Sequence, residues 1–411
     1  MHSCRFCSAA TIRVADFGSM PIANNFVLNP ELDRYRFQLT AAFCKECSLF
    51  QLEKQPEPSM MFHSEYPFFT GLSSAMSEHF RNMLIDSLGD LQKNTSEAFV
   101  VEIGSNDGTL LSNLVPMGIR HLGIDPSSNV VELSKAKGVE AVVEFFNLKT
   151  AAKVLQSHGK ADLILAANVI CHIPNLKDFA EAISLLLDEN GRFIFEEPYA
   201  GDVLDKTSYD QFYDEHVYIF SCISVSNIFG KYGLELVDAI HQETHGGSMR
   251  YILAPKGSRK VSKRVVDLLK SEISKGLGES DVYLEFGLNC ILRKTELKNL
   301  LSSLKNAGKS IAGYAATSKS TTVLNFCDIG PELISYISDS TPEKQGKLTP
   351  GKYIPVVNPE EMRLAKPDYL VLFAWNHERE VLAKEKDLID PKTKWIRFVP
   401  KVEILDFNGK I

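Results

Sequence analysis

Two sets of residues in this sequence have the types and spacing to do chemistry. The first is Cys4 and Cys7 with Cys44 and Cys47, each pair separated by two residues. Four thiolates offered as two such knuckles meet the tetrahedral demand of a structural zinc and leave no ligand position open for catalysis. The second is YDQFYDEHVYIFS, Tyr209 to Ser221, where His216 follows two acids and stands among tyrosines and phenylalanines. An imidazole that titrates near neutrality is a natural general base for removing a proton beside a carbonyl. Neighbouring acids and phenols can orient it or steady an enolate. That combination points to bond formation at carbon.

A third stretch supplies the place for a cofactor. EIGSNDG, Glu102 to Gly108, lies between a β-rich run and TLLSNLV, which reads as the start of a helix. It resembles the first motif of class I S-adenosylmethionine methyltransferases. Gly104 and Gly108 let the backbone pass close to a ligand, while Glu102, Asn106 and Asp107 offer groups for an ammonium and hydroxyls. A dinucleotide fingerprint would instead aim a helix N-terminus at pyrophosphate, which Asp107 would repel. Asp125 of GIDPS ends the next strand about twenty residues on, where an acid bonds ribose hydroxyls in sheets of this kind. Asn168 ends the fourth strand at the same edge.

The elements that must position these residues follow an alternating pattern. LSSAMSEHFRNMLIDSLGDLQK has helical spacing, and strand-like runs at AFVVEIG, HLGID, VEAVVEFF, ADLILAANV and GRFIFEEP alternate with helical ones. Such alternation predicts a parallel, doubly wound sheet, which ELVDAIHQ and SMRYILAP bring to seven strands. Charged helical segments between Lys256 and Ala307 bridge to a second α/β pattern, with strands at SIAGYAA, LISYISD, DYLVLFAWN and WIRFVP and a helix at STTVLNFC. The expected class is therefore α/β with three domains: zinc-binding over 1–71, methyltransferase over 72–255, and a bridge with a Rossmann-like domain over 256–411.

Composition narrows the partners. The formal charge of −7 gives no broad attraction to a phosphate backbone, so an anionic ligand must be gripped by a few local donors. The acidic balance and the lack of a basic, aromatic-laced stripe near the knuckles disfavour a zinc-ribbon nucleic-acid methyltransferase. No apolar run is long enough to span a bilayer, and MHSCRFC lacks a signal pattern, so a cytoplasmic protein without membrane or nucleic-acid partners is expected. The four unpaired cysteines are scattered singly, unlike a secreted disulfide framework. Monomer is the default.

The two CxxC knuckles, EIGSNDG, NVICHIPN, YDQFYDEHVYIFS, THGGSMR and GYAATSKSTTVLNF, in this order, resemble the nucleotide-sugar C-methyltransferases of deoxysugar biosynthesis. The resemblance covers the whole chain. It implies methyl transfer to carbon 3 of a 4-keto-6-deoxy sugar on a nucleoside diphosphate. His216 would be the base, flanked by Tyr213 and Glu215, with His172 and Tyr66 lining the same pocket. Tyr314, Ser318 and Lys319 match the segment expected to meet the sugar or diphosphate. Lys344, Gln345 and Gly346 also match the pattern, without an assigned chemistry. Phe68 and Phe69 stand where relatives are expected to carry a second aromatic hydroxyl, which bears on the sugar more than on the reaction. The alternative within enzymes is a sugar O- or N-methyltransferase, which needs a base but no ketone. His245 is read as serving a turn, because two glycines follow it.

Overall fold

The computed structural model describes residues 2–62, 70–89, 91 and 97–405. In chain order, the first lobe contributes β1 (Ile12–Met20), β2 (Phe37–Cys44) and β3 (Leu49–Leu52), followed by helix α1 (Ser74–Gly89). The central region runs β4 (Phe99–Ile103), β5 (Arg120–Asp125), α2 (Ser128–Ala136), β6 (Ala141–Val143), α3 (Leu148–His158), β7 (Ala161–Ala167), α4 (Leu176–Leu186), β8 (Leu187–Pro198) and α5 (Ala200–Lys206). It continues through β9 (Tyr218–Ile219), α6 (Cys222–Phe229), β10 (Leu234–Gln242) and β11 (Ser248–Pro255). Helices α7 (Lys263–Ser274) and α8 (Asp281–Asn306) then lead to β12 (Ile311–Tyr314), α9 (Ser318–Phe326), β13 (Ile337–Ser338), β14 (Val356–Val357), α10 (Pro359–Ala365), β15 (Tyr369–Leu372), α11 (Glu378–Glu385), β16 (Lys394–Arg397) and β17 (Glu403–Leu405).

The apolar runs FVVEI and ADLILAA are buried along almost their whole length, as parallel strands covered by helices on both faces must be. They form the middle of a seven-stranded sheet in the order β10-β11-β8-β7-β4-β5-β6, in which only β11 runs antiparallel to its neighbours. The carboxyl ends of β4, β5, β7 and β8 therefore collect at one edge, the usual ligand crevice of an open α/β sheet. Side-chain caps fix the following helices: Asn147 accepts from Thr150 N and Asn175 from Asp178 N.

One expected helix is absent. TLLSNLV forms two short 3-10 turns, Leu111–Asn113 and Val115–Met117. Pro116 lacks the N–H that would continue a helix, and Gly118 ends the second turn with φ +65°.

The first lobe's sheet is not built from contiguous sequence. Its order is β1-β2-β3-β9, and β9 comes from directly after His216, pairing Phe50 with Ile219 and Gln51 with Tyr218. A third sheet, β14-β13-β12-β15-β16-β17, is parallel except for its last pair. Aromatic contacts join these parts. Phe50 meets Phe212 at 4.8 Å and Tyr283 at 4.9 Å, and Phe17 meets Phe326 at 5.1 Å. Each such pair contributes about 0.5–1.5 kcal/mol beyond the area it buries.

Helix α8 lies so close to β1 that a Cβ at Gly287 would overlap the Val14 carbonyl oxygen. Since the obstacle is backbone, Gly287→Ala is expected to destabilise the protein by about 1–3 kcal/mol despite alanine's better helix propensity. Chemical denaturation checks this; an unchanged midpoint would mean that the helix can back away freely.

Candidate active site and metal centre

The four knuckle cysteines converge at the end of the first lobe. Their sulfurs lie within 4.8 Å of one another, with Cys4 Sγ 3.6 Å from Cys47 Sγ and Cys7 Sγ 3.4 Å from Cys44 Sγ. Four sulfurs at about 2.3 Å from zinc stand about 3.8 Å apart in a tetrahedron, so the set fits that ion. Gln51 donates to Cys4 Sγ at 3.2 Å while accepting from Arg5 N at 2.8 Å, which ties the knuckle to β3. Arg5 also reaches the Tyr218 hydroxyl on β9.

At the carboxyl edge of the central sheet, the EIGSNDG turn is held tightly. Gly104 has φ +68°, and any Cβ there would strike the Val169 side chain. Asp125 accepts from Asn106 N at 3.0 Å and Ser127 N at 2.9 Å. Asp107 accepts from the Thr109 hydroxyl at 2.7 Å and from Gly71 N at 3.1 Å, with Lys137 Nζ also 3.1 Å away. Glu102 is buried and its Oε2 has no partner. Burial, then the charges of Asp125 and Asp107, push its carboxyl well above the usual range. A buried carboxyl with one oxygen unpartnered, beside two more acids, suits a ligand that brings positive charge, as the ammonium and sulfonium of S-adenosylmethionine do. Asn168 directly follows β7 with φ +54°, its Oδ1 buried without a partner and its Nδ2 3.0 Å from His245 Nε2.

The YDQFYDEHV stretch crosses this edge inside the protein. His216 is 5% exposed; its Nε2 is 2.5 Å from the Tyr213 hydroxyl and its Nδ1 has no partner. Burial, then the neighbouring His172, Lys319 and His245, hold its imidazole well below the ordinary value, so the ring is uncharged at neutral pH. The His172 ring stands 5.5 Å from it, with Nε2 also unpartnered and its pKa lowered to about 4 by burial. Glu197, at the end of β8, fixes the turn bearing His172: one oxygen accepts from Val169 N, Ile170 N and Cys171 N at 2.9, 2.6 and 3.1 Å. Burial pushes Glu197 up to about 7.

The other two lobes close over the same segment. Ala23 N donates to Asp214 at 3.1 Å, and Asn24 Nδ2 donates to Glu215 at 3.0 Å. Asn24 also accepts from the Ser318 hydroxyl at 2.9 Å, at the start of α9. Lys319 Nζ donates to the His245 carbonyl at 3.3 Å and lies 5.7 Å from the Trp375 ring centre. Trp375 Nε1 donates to the buried Asp210 at 2.6 Å.

Of the residues singled out in the sequence, His216, Tyr213, Glu215, His172, Ser318 and Lys319 are thus brought together. Tyr66 lies outside the described residues. Tyr314 is not in the cluster: its hydroxyl donates to Glu385 at 2.9 Å, and its ring packs on Trp395 in the core of the third sheet. Its side chain leaves the strand on the face away from the site. His245 does more than turn the chain, since its ring meets Asn168 and its carbonyl takes both Lys319 and Gln211. Asn24, Glu197, Asp210 and Trp375 also belong here and carry no local sequence signal.

Comparison with known proteins agrees with this arrangement. Residues 4–62 match a family described as a zinc binding domain, 76–239 a methyltransferase domain, and 243–400 the C-methyltransferase C-terminal domain. The chain is 31% identical to the C-methyltransferase NovU of Streptomyces niveus over 416 residues, covering 100% of this chain and 98% of that protein. The chain belongs to the C-methyltransferases. Among solved structures, this C-methyltransferase is similar to an S-adenosylmethionine-dependent methyltransferase from Clostridium acetobutylicum, with 14% identity, TM-score 0.35, and 44% of this chain and 92% of that one covered. A second is the magnesium protoporphyrin IX methyltransferase of Synechocystis with S-adenosylmethionine bound, at 16% identity and TM-score 0.34, covering 44% and 79%. The C-methyltransferase depends on S-adenosylmethionine and carries a zinc-binding lobe. Among its described residues, no helix is long and apolar enough to cross a membrane.

The lowered His172 pKa makes stability depend on pH with a definite sign. Between about pH 6.5, the unfolded value, and about pH 4, the folded value, the unfolded chain binds more protons at this residue than the folded one. Stability is expected to fall as pH is lowered through that window, and His172→Asn to flatten the slope. Denaturation midpoints between pH 7.5 and 4.5 check this; an unchanged slope in the variant would contradict it.

Proposed function

We propose that this C-methyltransferase transfers the methyl group of S-adenosylmethionine to carbon 3 of a 4-keto-6-deoxy sugar on a nucleoside diphosphate, through an enolate formed by His216. The observation that carries the reading is an uncharged, buried imidazole with one nitrogen tied to Tyr213 and the other unpartnered, enclosed by elements of all three sheets. With Nε2–H donating to the Tyr213 hydroxyl, Nδ1 has the free lone pair that takes the proton from carbon 3. The electron pair left behind spreads onto the carbonyl oxygen. The Tyr213 hydroxyl holds the Nε2–H of the imidazolium that forms, and Glu215, its neighbour in the chain, would offer a carboxylate to steady it.

The cofactor supplies an electrophilic methyl on a positively charged sulfur. Glu102, Gly104, Asn106, Asp107, Gly108, Asp125 and Asn168 are the residues that would hold it at the carboxyl edge. His172 and Tyr66 would line the sugar pocket, while Ser318 and Lys319 would meet the sugar or diphosphate. Two largely enclosed lysines support an anionic substrate there: Lys319 bonds only the His245 carbonyl among the described hydrogen bonds, and Lys344 only that of Ala316, at 2.9 Å. Aligned reactants remove much of the barrier, so orientation by these groups is the main contribution beyond the base.

The test is hydrogen exchange at carbon 3 of a 4-keto-6-deoxy nucleotide sugar in deuterated water, followed by proton NMR. Wild type is expected to exchange that hydrogen, and His216→Asn to lose exchange and about 10²–10⁴-fold in methyl transfer. Methyl transfer to oxygen or nitrogen, without exchange at carbon even when S-adenosylhomocysteine is added, would overturn the reading.

A further inference from the structure

Cys171 lies next to His172 and is used by no step above, yet it completes a ligand set. One ligand atom each from Cys171, His172 and His216 lie within 4.8 Å of one another, the second such cluster in the described residues after the four knuckle cysteines. Each of the two imidazoles also carries a buried nitrogen without a partner, His172 Nε2 and His216 Nδ1. The Cys171 side chain is fully buried against Glu197. We propose that Cys171, His172 and His216 form a second metal site, which takes a thiophilic divalent cation such as zinc at the heart of the active site.

The donor set selects the ion. One sulfur and two imidazole nitrogens favour zinc or cobalt over magnesium or calcium, which prefer oxygen. Three protein ligands leave a fourth position to water, unlike the closed four-cysteine site. Both imidazoles are uncharged, so each offers a lone pair without first losing a proton. Binding breaks the S–H bond of Cys171: the sulfur keeps the electron pair and gives it to the metal, and the proton leaves to solvent. Burial, then Glu197 and Glu215, hold the Cys171 thiol well above its ordinary value, so the bound cation itself must displace the proton, after which the two carboxyls lie near enough to balance its charge. Closing the ligands from within 4.8 Å to the edges of a tetrahedron, about 3.3–3.8 Å, requires side-chain rotation of about 1 Å.

The consequence is inhibition: a metal on His216 removes the lone pair that the reaction needs. That consequence rests on His216 being the base, whereas the binding itself does not. The two parts can be separated by experiment. The protein is first loaded with zinc at the knuckle site and then titrated with cobalt(II), with zinc retention verified by metal analysis. Wild type is expected to bind one further equivalent with a thiolate-to-cobalt charge-transfer band in the near ultraviolet. The band should vanish in Cys171→Ser and weaken in His172→Asn, two variants whose folding is checked by thermal melting. Excess zinc should inhibit methyl transfer by wild type, whereas Cys171→Ser, active without added metal, should need at least tenfold more zinc. No further band in wild type, or the same band in folded Cys171→Ser, overturns the site. A band accompanied by full methyl-transfer activity overturns His216 as the base and leaves the metal site standing.

Discussion

Asp210, Asp214, Glu215 and His216 all enter the protein interior within one short segment, each 5% exposed or less. A polar group so placed costs about 1–3 kcal/mol unless it is hydrogen-bonded. The first lobe gives Ala23 N to Asp214 and Asn24 to Glu215, and the third sheet's Trp375 gives its indole N–H to Asp210. Each such hydrogen bond contributes about 0.5–1.5 kcal/mol net. Two separate parts of the chain are thereby fixed on a single segment. The site exists only where they meet.

This constraint explains the position of the zinc lobe. Two of the metal's ligands, Cys4 and Cys7, precede β1, and the other two, Cys44 and Cys47, lie at the end of β2 and just before β3; β3 pairs with β9, two residues beyond His216. Arg5, between two of the cysteines, contacts both Gln51 and Tyr218. A four-cysteine site with no open position performs no chemistry, but it holds one wall of the pocket by way of these strands. Glu197 has the corresponding role on the opposite side, holding the His172 turn through three backbone amides.

Much of this was legible in the sequence because its signals are local. The CxxC pairs, the glycine turn EIGSNDG and the alternating strands and helices each lie within a window of a few residues. They gave the metal ligands, the sheet and its carboxyl edge. What failed to show depends on pairings across long separations. Asp210 and Trp375 are 165 residues apart, Asn24 and Ser318 are 294 apart, and no pattern near either residue announces the other. Tyr314 was misplaced because a strand's periodicity does not say which face of the sheet looks toward a ligand, and its partner Glu385 is 71 residues away. The helix expected after Gly108 gave way to Pro116 and Gly118, a local signal that the apolar run obscured.

Amide hydrogen exchange with zinc bound and after chelation tests the central claim most directly, because it asks whether the lobes and the active-site segment form one unit. The account predicts that removing zinc raises exchange across Tyr213–Ile219 as well as in the lobe itself, since the segment loses the Ala23, Asn24 and β3 contacts together. Faster exchange confined to residues 4–52, with Tyr213–Ile219 as protected as before, would contradict it.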